Sequence, residues 1–87
     1  MSEFDIDAFA DDMTRAMCAS AYQAIKESSP HVTDGLHELV SGGETPEIIA
    51  AEMRRRKMPY QRIMLTCMAA AAIQHGWTED FATEDDA

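Results

Sequence analysis

Apolar residues recur at three- and four-residue intervals along most of the chain, and no run alternates apolar with polar as a half-buried strand does. This spacing predicts an all-α fold, a small bundle of about four helices with a central hydrophobic C-terminal helix. The first helix is expected from about Asp5 to Glu27. Ile6, Phe9, Met13, Ala16, Met17 and Ala24 form one apolar stripe along it, interrupted by Ser20. Its C-terminal half carries a second stripe, Cys18, Ala21, Tyr22 and Ile25, largely on the opposite side. A helix apolar on two sides is either central to its domain or shared with another chain. Cys18, Tyr22 and Ile25 are therefore the expected interface of a homodimer.

Proline and glycine punctuate the rest. In "SSPH", Ser29 is the expected N-cap and Pro30 the first helical residue. Val32, Leu36, Leu39 and Val40 share a face of this second helix, which stops at Gly42-Gly43. "ETPE" repeats the start signal with Thr45 and Pro46, and helix three carries Ile48, Ile49 and Met53 as far as Lys57. Pro59 opens helix four, which reaches His75 and ends at Gly76-Trp77. Tyr60, Ile63, Met64, Cys67, Met68, Ala71 and His75 make one face of it; Leu65, Ala69, Ala72 and Ile73 make much of the other. Helix four is accordingly expected to be the most buried, with its four consecutive alanines allowing close helix approach. Residues 1–78 are expected to form one helical domain. Residues 79–87 read as an acidic, flexible tail in which Phe81 alone is suited to dock.

Size and composition narrow the class. Eighty-seven residues suffice for one small domain, and a hydrophobic share of 46% argues against global disorder. Seven methionines exceed the usual share; methionine fills irregular gaps and suits adaptable binding surfaces. Met1 is followed by acids where a secretory signal carries bases, and the longest uncharged apolar run, Ile63 to Ile73, is about half the ~20 residues of a membrane span. The expectation is a soluble, cytoplasmic protein.

Charge changes the picture more. Sixteen acids face seven bases, for a net charge of -9. Residues 1–29 and 30–50 each carry a net of -4, residues 51–76 carry +4, and residues 77–87 carry -5. Five of the seven bases, Arg54, Arg55, Arg56, Lys57 and Arg62, lie within "MRRRKMPYQR". At the end of helix three these cations complement the negative pole of the helix dipole. The segment "IIAAEMRRRKMPYQRIM" also resembles the helix-turn-helix family of DNA-binding proteins. The resemblance implies that Ala50, Ala51, Met53, Ile63 and Met64 are buried, and that Tyr60, Gln61 and Arg62 open a recognition helix. It departs from that pattern at the turn, where Arg54 stands in place of glycine. The overall negative charge opposes approach to phosphates.

Catalytic and metal-binding patterns are missing from the sequence. His31, His37 and His75 do not have the i, i+4 spacing of helical metal ligands, and Cys18 and Cys67 match no zinc motif. Both cysteines are expected as reduced, buried thiols. No glycine-rich loop precedes a lysine, so no phosphate cradle is expected. The expectation is a non-enzymatic protein with no cofactor and no metal. Its acid clusters suit a basic protein surface, such as that of a nucleic-acid-binding complex. Asp5, Asp7, Asp11, Asp12, Arg54, Arg55, Arg56, Tyr60 and Arg62 are the expected partner-binding residues. In size and charge the chain is similar to small phage and mobile-element inhibitors, among them proteins that block CRISPR effector complexes. The alternatives are a helix-turn-helix regulator and a small helical assembly adaptor or chaperone.

Overall fold

The computed structural model describes residues 6–79. They form α1 (Ile6–Ser28), α2 (Pro30–Ser41), α3 (Pro46–Arg55) and α4 (Tyr60–His75), with no strand among the described residues. Asp5 and residues 80–87, Phe81 included, lie outside the described residues, as do the side chains of Ile6, Asp7 and Phe9. The all-α bundle is as expected, and among the described residues no helix is long and apolar enough to cross a membrane.

The helix starts follow the sequence in one case and depart from it in another. Thr45 caps α3: its hydroxyl oxygen accepts a hydrogen bond of 3.2 Å from the Ile48 amide, with Pro46 next in line. Ser29 precedes α2, but its side chain makes no capping bond. Its backbone belongs to both helices at once. The Ser29 amide donates to the Ile25 carbonyl of α1 (2.7 Å), and its carbonyl accepts from the Val32 amide of α2 (2.9 Å). The buried Thr33 hydroxyl supports this tight junction by donating to the Pro30 carbonyl at 2.8 Å.

Three helices end alike. After α2, the Glu44 amide donates to the Leu39 carbonyl and the Gly43 amide to that of Val40, both at 3.0 Å. After α3, Met58 donates to Met53 (3.1 Å) and Lys57 to Arg54 (2.9 Å). After α4, Trp77 donates to Ala72 (2.7 Å) and Gly76 to Ile73 (3.4 Å). Each pair is a Schellman motif, which needs a left-handed residue just past the helix. Gly43 and Gly76 supply it with φ of 102° and 74°; at the end of α3 a lysine does, with Lys57 at φ 61°. This is why α3 stops at Arg55 and not at Lys57. The residues that follow Lys57 and Gly76, Met58 and Trp77, fold back onto the core.

The core centres on α4, which packs against all three other helices, whereas among the described residues the backbone of α3 comes close to that of α4 alone. Ala69, Ala70 and Ala72 are fully buried. With no side chain beyond Cβ they let α1, α2 and α3 close around the α4 backbone. Tyr22, Leu36, Ile49, Met53 and Ile63 fill the space between, and burial of each such aliphatic side chain contributes roughly 1.5–3 kcal/mol.

On α1 the two apolar stripes exchange their expected roles. Cys18 and Tyr22 are buried and Ile25 packs against the same core, so these residues are not a free dimer interface. The other stripe is the uncovered one, with Met13 at 47% and Met17 at 53% exposure. The reason lies in partner shape. The ring of Tyr22 and the small Cys18, Ala19 and Ala21 fit the alanine surface of α4 and the flank of α2, which long methionines do not.

Candidate functional site

The α3–α4 corner holds the basic run. Arg54, Arg55, Arg56 and Lys57 are all exposed, and Tyr60, just past Pro59, is 74% exposed. One turn before the arginines stands Glu52. Arg55 Nε donates to Glu52 Oε1 at 3.1 Å, Arg55 Nη2 reaches Oε2, and Arg56 Nε donates to the same Oε2 at 2.8 Å. The i+3 and i+4 spacing places both guanidinium groups over one carboxylate. Hydrogen bonds from Arg55 and then Arg56 hold the Glu52 carboxyl down at about 2, far below its ordinary 4.5. Arg55, at the surface, is raised in turn by its bonds to Glu52. Two of the four arginines expected to meet a partner, Arg55 and Arg56, thus already share an internal carboxylate. Among the described residues Arg54, Lys57 and Arg62 form no ion pair.

Beside this corner lies an open apolar groove of about 690 Å³ between the end of α2 and α3. Leu39 and Ile48, 44% and 50% exposed, line it with Met53 and Met58, and Glu44, Glu52, Arg55 and Arg56 surround it. A second cavity of about 430 Å³ contains Cys18, Cys67 and Met68 together with Glu47, Arg54 and His75. Both cysteines are free. Burial raises the Cys18 thiol first and the neighbouring Cys67 raises it further. Cys67 is raised by burial and then by Glu47, against the opposing pull of Arg54. Its thiol donates to the Pro46 carbonyl at 3.3 Å, tying α4 to the start of α3. Both thiols are thus biased toward the protonated form, unlike the depressed thiolates of nucleophilic sites.

The acids have no such internal partners. Asp11 and Asp12 are exposed on α1, Asp34 and Glu38 on α2, and Glu47 on the first turn of α3. None of these, nor Glu27 or Glu44, makes an ion pair among the described residues, where the ion pairs are the two on Glu52. Arg15, the base nearest to them on α1, lies over the ring of Trp77 at 5.5 Å, and Trp77 stacks on His75 with centroids 4.5 Å apart. Gln23 Nε2 donates to the Thr78 carbonyl at 3.1 Å, so the chain after α4 is bound to α1. Asp5 and the Asp7 side chain lie outside the described residues.

No protein family model, no curated protein and no solved structure matches this chain. Of the positions that a helix-turn-helix buries, Met53 and Ile63 are in the core and Ala50 is half-buried, but Ala51 and Met64 are exposed. Among the described residues no group of three His, Cys, Asp or Glu side chains is placed to hold a metal ion.

Glu52 and the exposed apolar side chains Met13, Met17, Leu39, Ile48, Met64 and Leu65 are absent from the sequence-derived site. The signal for Glu52 was present, as an acid three and four residues before two arginines. For the methionines, only their excess pointed to a surface.

Proposed function

We propose that this protein is a non-catalytic binding module that recognises a basic surface on another protein, with its carboxylates as the main recognition element. The observation that supports this most directly is the set of seven acids on α1, α2, α3 and the α2–α3 connection, Asp11, Asp12, Glu27, Asp34, Glu38, Glu44 and Glu47, that form no ion pair among the described residues. A field of one sign speeds encounter with a surface of the other, and carboxylates can occupy a site built for phosphates. Leu39 and Ile48, exposed beside Glu44, supply apolar anchors where charge alone gives little affinity. In its specific form the reading is an inhibitor of a nucleic-acid-handling complex, of the anti-defence kind that phages and mobile elements carry.

The test is direct. Partners recovered from nuclease-treated host extract are identified by mass spectrometry, purified and titrated. The expected result is 1:1 binding that weakens steeply with salt, competes with nucleic acid for the partner, and is lost on changing Asp34, Glu38, Glu44 and Glu47 to amides. Recovery of partners only through DNA, with a duplex shift abolished by changing Gln61 and Arg62, supports the helix-turn-helix reading instead. Binding of apolar segments with no salt dependence supports an adaptor.

A further inference from the structure

Where α1 turns into α2, the chain closes a pocket of about 330 Å³ against the first turns of α4. Ile25, Val32 and Leu65 form its apolar wall, and Ser28, Ser29, His31, Arg62 and Thr66 supply its polar groups. Arg62 and Thr66 are one turn apart, so both side chains leave the same face of α4. Ser28 and Ser29 are held beside them by the tight junction, in which the Ser29 amide bonds to α1 and its carbonyl to α2.

Most of these polar groups are donors without an acceptor. Ser28 donates to the Ala24 carbonyl at 3.0 Å. The side chains of Ser29, His31, Arg62 and Thr66 make no hydrogen bond or ion pair among the described residues. Ser29 and Thr66 are half-buried, and a hydroxyl in that position gains from any acceptor that reaches it.

Charge sets this pocket apart from the others. No carboxylate lines it, and Glu27 and Asp34, the acids nearest in sequence, stand outside its wall. The groove between α2 and α3 holds Glu44 and Glu52, and the cavity that contains Cys18 and Cys67 holds Glu47. In a chain of net charge -9, the α1–α2 junction thus presents an unpaired guanidinium with no acid in the same pocket. The negative charge elsewhere is screened over about 8 Å at physiological salt, so the local donors govern what enters.

We propose that this pocket binds a phosphate group carried by a small molecule, with Arg62 as its principal contact. The guanidinium fork pairs with two phosphate oxygens. The hydroxyls of Ser29 and Thr66 and an N–H of His31 are available to the others. Donors that come from α4, from the junction and from α2 suit a tetrahedral dianion better than a planar carboxylate with only two oxygens. The remaining space takes a few atoms of the carrier against Ile25, Val32 and Leu65. A nucleic-acid backbone needs several cations in line, whereas Arg54 borders a different cavity, the one with Cys18 and Cys67.

Titration of the isotope-labelled full chain with inorganic phosphate, at constant pH and ionic strength, tests this by NMR. The expected result is saturable binding in the millimolar range, with shifts centred on residues 28–32 and 62–66 and larger than those from chloride or acetate. Arg62→Gln weakens it at least about tenfold, and Ser29→Ala and Thr66→Val about threefold each. Arg54→Gln leaves it unchanged, and circular dichroism verifies that every variant is folded. A nucleoside monophosphate binds at least as well as phosphate, and duplex DNA at equal phosphate concentration binds no better. An equal response to chloride, binding that survives Arg62→Gln, or shifts centred on Arg54 and Lys57 each overturn the proposal. A tighter response to duplex DNA also overturns it and makes Arg62 a backbone contact of the helix-turn-helix kind. The inference is independent of the partner-binding reading: amides at Glu38, Glu44 and Glu47 leave the phosphate titration as it was.

Discussion

The hydroxyl of Tyr22 on α1 shares a hydrogen bond of 2.8 Å with Nε2 of His37 on α2, and the two rings meet edge to face with centroids 5.6 Å apart. Tyr22 is buried while His37 stands at the surface, so the bond joins them at the edge of the core. Tyr22→Phe is expected to cost about 1 kcal/mol in denaturant unfolding. In a His37→Ala background the same change is expected to cost almost nothing, because the partner has already gone. Two additive losses in that double-mutant cycle would show that the bond contributes nothing of its own.

Lys57 does the work of a glycine. At φ 61° it carries a left-handed strain of roughly 1–2 kcal/mol, offset in part because glycine has more freedom to lose on folding. Lys57→Gly is expected to stabilise the protein by about 1 kcal/mol, a rise in Tm of about 4–8 °C for a domain of this size. Gly43→Ala, at the same place after α2, is expected to destabilise it. A Lys57→Gly protein that melts lower than the parent contradicts this account of the α3 end.

Glu52 makes α3 sensitive to acid in a defined window. Its carboxyl titrates at about 2 in the folded protein instead of 4.5, so the contribution of its arginine pairs is complete above about pH 4.5 and is lost as pH falls through 2. Carboxyl NMR is expected to place the Glu52 midpoint well below 4.5. Arg55→Gln moves it up. A Glu52 midpoint near 4.5 would mean that the exposed pairs do not persist in solution.

Both thiols are raised, chiefly by burial, so little thiolate exists at neutral pH. Iodoacetamide is expected to label Cys67 slowly and Cys18 more slowly still, with rates that climb as pH passes 9. Because Glu47 raises Cys67 and Arg54 lowers it, Glu47→Gln is expected to speed labelling and Arg54→Gln to slow it. Mass spectrometry of labelled peptides measures both.

Helix positions were legible in the sequence because they rest on local chemistry. Pro30, Pro46 and Pro59 mark three starts; Gly42-Gly43 and Gly76 mark two ends. The end of α3 was misjudged by two residues because a lysine in left-handed backbone leaves no mark in a sequence. Central placement of α4 was legible from its apolar residues on all sides. The burial of α1 was not. Its stripes are about equally apolar, and the choice between them depends on whether alanine surface or open space lies opposite, a property of the assembled bundle. The Tyr22–His37 bond spans 15 positions and two helices, so no spacing rule could disclose it. For the site, the basic run and the exposed acids were readable as charge, whereas the pairing of Arg55 and Arg56 with Glu52 divides that charge in a way that counting cannot.

The corner between α3 and α4 is closed by amides 57 and 58 donating to carbonyls 53 and 54, with the Met58 side chain set against the core. Backbone atoms and one methionine hold the turn, and the side chains at 54, 55 and 56 take no part in it. Descendants of this protein are thus free to alter all three, one substitution at a time, without losing the fold on the way. Such a corner separates what a lineage must keep from what it can vary, and a change of binding partner would be expected to begin there.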